Sequence, residues 1–273
     1  MFQNVPGYDA ASYILIRKLV CNPRQEMLTQ LTPDVLPGLR EYRFCKFCTT
    51  PIENQYKYCL QCRKYKDLLG NKSFFTLAWA LKGSQYYQDL LTYKKQPKAS
   101  YYTQAFKRLF MLATFAQSHL ACLYRKWGYV DSVAVVPSSR RRDNTYLHIL
   151  AARVFDALPH LKVEYTGIAT SLETKSRGEI HPELIKIQEN VKGKHIVVLD
   201  DTWVTGSSAM STAQALTLQG AEHVTIIVFG RTLEPSWKTN QPSNSSSIQM
   251  MGTYFTRKYA RLPWAPALPE TIN

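Results

Sequence analysis

Two adjacent carboxylates, Asp200 and Asp201, followed closely by Thr205, Gly206, Ser207 and Ser208, are the residues whose types and spacing best suit chemistry. They lie in the stretch KHIVVLDDTWVTGSSAM, residues 194–210. His195–Leu199 is a β-branched apolar run of the kind buried in parallel sheets, and the pattern predicts that the strand stops at the two acids. Thr205–Ser208 form a small hydroxyl-rich turn, and from Ala209 onward the spacing is helical. A helix N-terminus presents free N–H groups and the positive end of its dipole, and Gly206 allows close approach. Three hydroxyls add donors, so the turn is a cradle for phosphate. Carboxylates beside a phosphate site suit a sugar or a metal. Other phosphate motifs fit worse: Gly193-Lys194 is followed by His195 rather than Ser or Thr, and no G-x-G-x-x-G occurs.

A second constellation is Cys45-x-x-Cys48 and Cys59-x-x-Cys62, separated by ten residues. Two such knuckles place four thiolates around one tetrahedral zinc ion, and a segment this small folds because the metal replaces a core. With all four positions filled by protein, the zinc is expected to be structural. On this reading Cys45→Ser would lower stability and leave ligand affinity at the distant acidic site nearly unchanged. Cys21 and Cys122 stand outside the pattern and read as core residues.

The elements that must position these groups follow from periodicity. Ser73–Leu81 is an apolar aromatic run and Gln85–Tyr93 follows it, the pair reading as two strands or as a strand and a short helix. Tyr101–Trp127 has helical spacing, with Phe106, Leu109, Phe110, Ala113, Ala116, Leu120 and Leu123 on the face expected to be buried. Tyr129–Val136 reads as the first strand of an α/β core, and the loop leaving it carries Ser138, Ser139, Arg140 and Arg141. In open α/β sheets ligands bind outside the carboxyl ends of strands, so this loop and Asp200–Ser208 should share one edge. Asp143–Leu158 suits a helix, Lys162–Ala169 a second strand, Thr170–Asn190 a long polar loop and Val224–Phe229 a third strand ending at Gly230-Arg231. The expected organisation is an N-terminal extension (1–40), a four-cysteine module (41–72), the α/β domain (73–235), and a linker and tail (236–273).

The 273 residues carry a formal net charge of +14, which favours polyanionic partners. No apolar run is long enough to span a bilayer and no signal-peptide core occurs, so the sequence predicts a cytoplasmic protein without membrane insertion. Lys94, Lys95 and Lys98, interleaved with Tyr86, Tyr87, Tyr93, Tyr101 and Tyr102, suit single-stranded DNA, because bases stack on rings while lysines follow phosphates.

The stretch VVLDDTWVTGSSA resembles the signature of type I phosphoribosyltransferases, which bind 5-phosphoribosyl-1-pyrophosphate (PRPP). The resemblance implies an open, mostly parallel sheet with flanking helices. It implies that Asp200 and Asp201 hold the ribose hydroxyls and the developing positive charge, that Thr205, Gly206, Ser207 and Ser208 surround the 5′-phosphate, and that Thr202 belongs to the PRPP site. Ser138, Ser139, Arg140 and Arg141 would bind pyrophosphate, and Lys175 and Arg177 would reach it from a hood. Mg²⁺ would accompany PRPP, and pyrophosphate would leave ribose C1 through an oxocarbenium-like transition state. With a four-cysteine module ahead of this core, the chain resembles the ComF family, named for a competence protein of DNA-taking bacteria, over roughly residues 41–232. It departs from the family pattern in lacking Arg-Gly-Phe-Asn after Arg140 and the Gln-x-x-Leu and Arg-x-x-Asn elements in residues 170–190. The resemblance implies phosphoribosyl transfer in nucleotide metabolism or a role in DNA uptake. A DNA-binding protein of uptake or repair and a nucleotide-sensing regulator are the other readings.

Overall fold

The computed structural model describes residues 43–48, 50–52, 55–82, 85–94, 100–118, 120, 124, 128–138, 145–166 and 178–233. In chain order the elements are β1 (Arg43–Phe44), β2 (Pro51–Ile52), α1 (Leu60–Lys64), β3 (Lys72–Leu81), α2 (Gln85–Thr92), α3 (Ser100–Ser118), β4 (Ser132–Val135), α4 (Thr145–Val154), β5 (His160–Leu161), β6 (Val163–Tyr165), β7 (Ile185–Ile187), β8 (His195–Trp203), α5 (Ser207–Leu218) and β9 (His223–Leu233). Five strands form one open parallel sheet in the order β3-β9-β8-β4-β5. The runs IVVL of β8 and TIIV of β9 pair in register, Val198 opposite Ile226, and are buried on both faces. That is why they read as continuous apolar strings rather than as alternation.

Each face of the sheet has its own core. Val133, Val135, Val197, Leu199, Ile227 and Phe229 pack under α2, α3 and α4, while Ala134, Ile196, Val198, Val224, Ile226 and Val228 pack under α5 and the cysteine module. The connection from β4 leads through α4 to β5 on one side, and that from β8 leads through α5 to β9 on the other. The loops leaving β4 and β8 therefore diverge, and a crevice opens between the carboxyl ends of these adjacent strands. Such a switch point is where open α/β sheets bind ligands.

The open parallel sheet with flanking helices and an N-terminal four-cysteine cluster is as expected. Several details differ. Residues 73–93 are a strand and a helix. The core's first strand is β3, not β4, because β3 pairs with the last strand, β9. β8 runs through both acids to Trp203, because β9 continues alongside it past Gly230 to Arg231 and keeps the ladder occupied. The segment expected as one strand over 162–169 is shorter and leaves the sheet, with β6 pairing antiparallel to β7 inside what reads as a long loop. On α3 the buried face is Ala105, Leu109, Leu112, Ala113 and Ala116, while Phe110 is 36% exposed. Among the described residues, no helix is long and apolar enough to cross a membrane.

Candidate ligand and metal sites

Asp200 and Asp201 occupy the C-terminal half of β8 rather than a loop after it. Asp201 follows Val197 and Leu199 at strand spacing, which carries it toward α2 and α3. It is 8% exposed. Its Oδ2 accepts from the Tyr93 hydroxyl at 2.9 Å and faces Lys94 Nζ at 2.5 Å, and its Oδ1 accepts from Thr202 Oγ1 at 3.1 Å. Asp200 is half-buried, and its Oδ1 accepts from the Asp201 backbone N–H at 2.8 Å.

These environments push the two carboxyls apart. Burial raises Asp200 well above the usual carboxylate range, and the Asp201 charge adds to it. Burial works the same way on Asp201, but the Lys94 ammonium and the Tyr93 hydroxyl outweigh it and hold the group below the usual range. The pair is therefore one carboxyl that gives up its proton readily and one that holds it more tightly than usual.

Lys94 and Tyr93 are brought there by α2, and three contacts fix that helix. Asp89, fully buried, accepts from Arg108 of α3 through Nε at 2.6 Å and Nη2 at 2.5 Å. The Tyr86 hydroxyl donates to the Phe229 carbonyl at 2.7 Å. Gly230 lets the helix lie close on β9, since a Cβ there would come within 2.3 Å of Leu90 Cδ1. Tyr93 had no signal in the sequence as a partner of Asp201, and Lys94 read only as part of a basic patch. Tyr86 and Tyr93, which read as stacking surfaces for bases, are 2% and 1% exposed and belong to the core.

Beyond Trp203 the chain turns into α5 at Gly206, which has φ 80°. That conformation suits glycine, and packing requires it too, because a Cβ would lie 2.2 Å from Trp203 Cζ2. No side chain caps the helix by a hydrogen bond at this N-cap. Thr205 Oγ1 lies 3.2 Å from Ser207 Oγ and 3.5 Å from the Ser207 N–H. Ser207 is half-buried and Ser208 exposed. Beneath the turn, the Trp203 indole N–H is buried without a partner among the described residues. Ser138 lies three residues beyond the end of β4, whose Val135 pairs with Leu199, so the chain leaving β4 starts beside the acids. Ser139, Arg140, Arg141, Lys175 and Arg177, expected at the pyrophosphate, lie outside the described residues. So do residues 1–40 and 236–273.

The four cysteines converge. Cys45 and Cys48 lie on the turn between β1 and β2, and Cys59 is the N-cap of α1, which carries Cys62. All four are buried, and their sulfurs lie within 4.8 Å of one another. Zinc–sulfur bonds of about 2.3 Å in a tetrahedron put sulfurs about 3.8 Å apart, so the donor set fits a zinc ion. The thiols also need a cation to ionise together. Neighbouring thiols, chiefly Cys45, push Cys59 and Cys62 far above the ordinary range. Cys48 is held well below it despite burial, by hydrogen bonds from Cys45, Cys59 and Cys62.

An apolar cavity lined by Tyr124, Val130, Phe155 and His195 sits at the opposite, N-terminal ends of the strands and holds no comparable chemistry. A scan against family models finds no match, and a search of curated proteins finds none. Among solved structures the chain is similar to a hypoxanthine phosphoribosyltransferase from Staphylococcus aureus, with 11% identity over 44% of this chain and 72% of that one, TM-score 0.31. It is similar to the L. donovani hypoxanthine-guanine phosphoribosyl transferase, with 11% identity over 45% and 71%, TM-score 0.33. It is also similar to a mutant Trypanosoma cruzi hypoxanthine phosphoribosyltransferase complexed with the product IMP, with 11% identity over 51% and 82%, TM-score 0.34. At such identities and scores, function rests on this chain's own residues.

Proposed function

We propose that this protein binds PRPP in the crevice between β4 and β8 and transfers its phosphoribose with Mg²⁺, as a phosphoribosyltransferase-like protein of the ComF type. The observation that carries this reading is one stretch of chain, Asp200–Ser208, that sets two carboxylates of unequal acidity shortly before a helix N-terminus whose N-cap, Gly206, brings no side chain. A sugar phosphate has diol and anion at a matching short separation. The amides of Ser207 and Ser208 and the hydroxyls of Thr205, Ser207 and Ser208 take the 5′-phosphate, with the dipole of α5 behind them. Asp200 and Asp201 take the ribose hydroxyls, and Thr202 steadies Asp201 through its hydroxyl. Mg²⁺ bound with the ligand would supply charge neutralisation for the leaving pyrophosphate. That end of the ligand is assigned to Ser138, Ser139, Arg140, Arg141, Lys175 and Arg177, as the sequence resemblance implies.

Calorimetric titration with PRPP and Mg²⁺, followed by a pyrophosphate-release assay, tests the reading. Binding should fall roughly a hundredfold or more in Asp200→Asn/Asp201→Asn, since each lost hydrogen bond to a charged group is worth about 1.5 to 3 kcal/mol. A parent protein that gives no heat with Mg²⁺-PRPP refutes it. The alternative is single-stranded DNA binding, with the acidic site as a regulatory ligand site. It is supported by the +14 charge and by Lys94, Lys95 and Lys98 near Tyr101 and Tyr102. It requires affinity to fall steeply between about 50 and 200 mM salt, as released counterions demand.

A further inference from the structure

Arg231 is 1% exposed, and no carboxylate among the described residues pairs with it. Each of its three side-chain nitrogens donates to oxygen. Nη1 donates to the carbonyls of Trp203 at 2.7 Å, Val204 at 3.2 Å and Thr232 at 2.6 Å. Nε and Nη2 both donate to Thr50 Oγ1, at 2.9 and 2.5 Å. A guanidinium charge in a dry interior is costly unless an opposite charge stands near it.

That charge is one atom further on, because Thr50 Oγ1 lies 3.1 Å from Cys48 Sγ. A hydroxyl has two lone pairs and one hydrogen. Arg231 occupies both lone pairs and offers no acceptor, so the Thr50 hydrogen is left for the sulfur. Thr50 donates and Cys48 accepts, which is the arrangement of a metal-bound thiolate. Four thiolates around one divalent cation carry two net negative charges, and Arg231 faces them through this single hydroxyl.

The same guanidinium grips the carbonyls of Trp203 and Val204, which lead into the Thr205–Ser208 turn. A second link runs through rings. Phe47, between the first two cysteines, lies 6.0 Å from Trp203 and 5.8 Å from Phe74, and Phe74 lies 4.7 Å from Trp203 between centroids. Trp203 is the side chain over which Gly206 closes. A third contact holds the chain after residue 177, where the Tyr65 hydroxyl donates to the Gly178 carbonyl at 2.5 Å.

We propose that Arg231 is a positioning residue: it is the buried counter-charge of the metal-loaded cysteine cluster, and through it and Phe47 the metal sets the shape of the Thr205–Ser208 turn. The test uses the full zinc-loaded chain, with two readouts that need no PRPP. Zinc release to a chelating dye should be at least about tenfold faster in Thr50→Val and in Arg231→Met, each of which removes a charge-assisted link. Arg231→Lys, which keeps the charge and loses the fork, should fall between Arg231→Met and the parent. Stripping zinc from the parent should raise amide exchange over residues 203–209 while residues 224–229 stay protected. Parent-like zinc release in Thr50→Val overturns the proposal, whether or not Arg231→Met folds. A 203–209 segment whose exchange ignores zinc removal, in protein whose β9 stays protected, overturns it as well. Exchange is read without ligand, so failure here is distinct from failure of the chain to bind PRPP.

Discussion

Asp200→Asn and Asp201→Asn should move stability in opposite directions, although both should weaken the proposed PRPP binding. The unfolded chain releases the Asp200 proton at the ordinary carboxylate value, whereas burial and the Asp201 charge make the folded state hold it to higher pH. A carboxyl raised in the folded state costs stability as pH rises from its unfolded value, about 3.9, through its folded one. Asparagine carries no such cost, so Asp200→Asn should raise Tm at pH 7 and lose that advantage near pH 4. Asp201 has the reverse sign, because Lys94 holds it low despite burial. Its contribution is complete above the unfolded value and is lost as pH falls through the folded one. Breaking a buried pair costs about 3–5 kcal/mol, but the Lys94 side chain is 35% exposed and water takes up part of the loss. A cost of about 1.5–3 kcal/mol remains, and at about 2–4 °C per kcal/mol for a chain of this size Tm should drop by about 3–12 °C. Differential scanning fluorimetry of both single variants at pH 7 decides. Shifts of the same sign and size would falsify the assignment of one raised and one lowered acid.

Gly206→Ala should lower stability by about 1–3 kcal/mol from the left-handed backbone alone, and more from the Trp203 contact, and should abolish phosphate binding; an unchanged urea midpoint would show that the turn can relax. Lys72 is 7% exposed and burial lowers it to about 8, so it costs stability at neutral pH and the cost fades between about pH 8 and 10.5. Lys72→Met should be more stable than the parent at pH 7, with the gap closing by pH 10; a gap that does not narrow would contradict this. His195 and His223 pack edge to face at 4.7 Å, and burial lowers both. Their contribution is complete above about pH 6.5 and is lost as pH falls toward the folded values. The urea midpoint of His223→Gln should therefore gain on the parent between pH 7 and 5, and parallel curves would rule this out.

What was legible in the sequence was local. The DDTWVTGSS stretch carries its own geometry, because strand, turn glycine and helix start are neighbours in the chain. The two Cys-x-x-Cys pairs do as well, since ligand count and spacing are written within a few residues of each other. Sheet order was not legible. β3 is first in sequence yet lies beside the last strand, β9, and nothing in either run names its neighbour. The strand's true end was hidden for the same reason, because Asp200–Trp203 are strand only while β9 continues opposite them. Lys94 and Tyr93 reach Asp201 only because α2 packs onto β9 at Gly230, a contact between distant segments.

The cysteine module shows the same limit with a larger consequence. Read alone, residues 41–72 are a separate unit whose core is a metal, so losing a cysteine should leave the acidic site untouched. In the structure Cys45, Phe47, Cys48, Cys59 and Cys62 share one apolar cluster with Trp203, Met210 and Val228. The module's floor is thus the sheet face that also carries α5, and Arg231 spans the boundary, donating to Thr50 on one side and to the Trp203 carbonyl on the other. On the proposed role of Arg231, packing and one guanidinium couple the metal to the turn, and Cys45→Ser should loosen the turn as well as the module, which faster amide exchange over residues 203–209 would report.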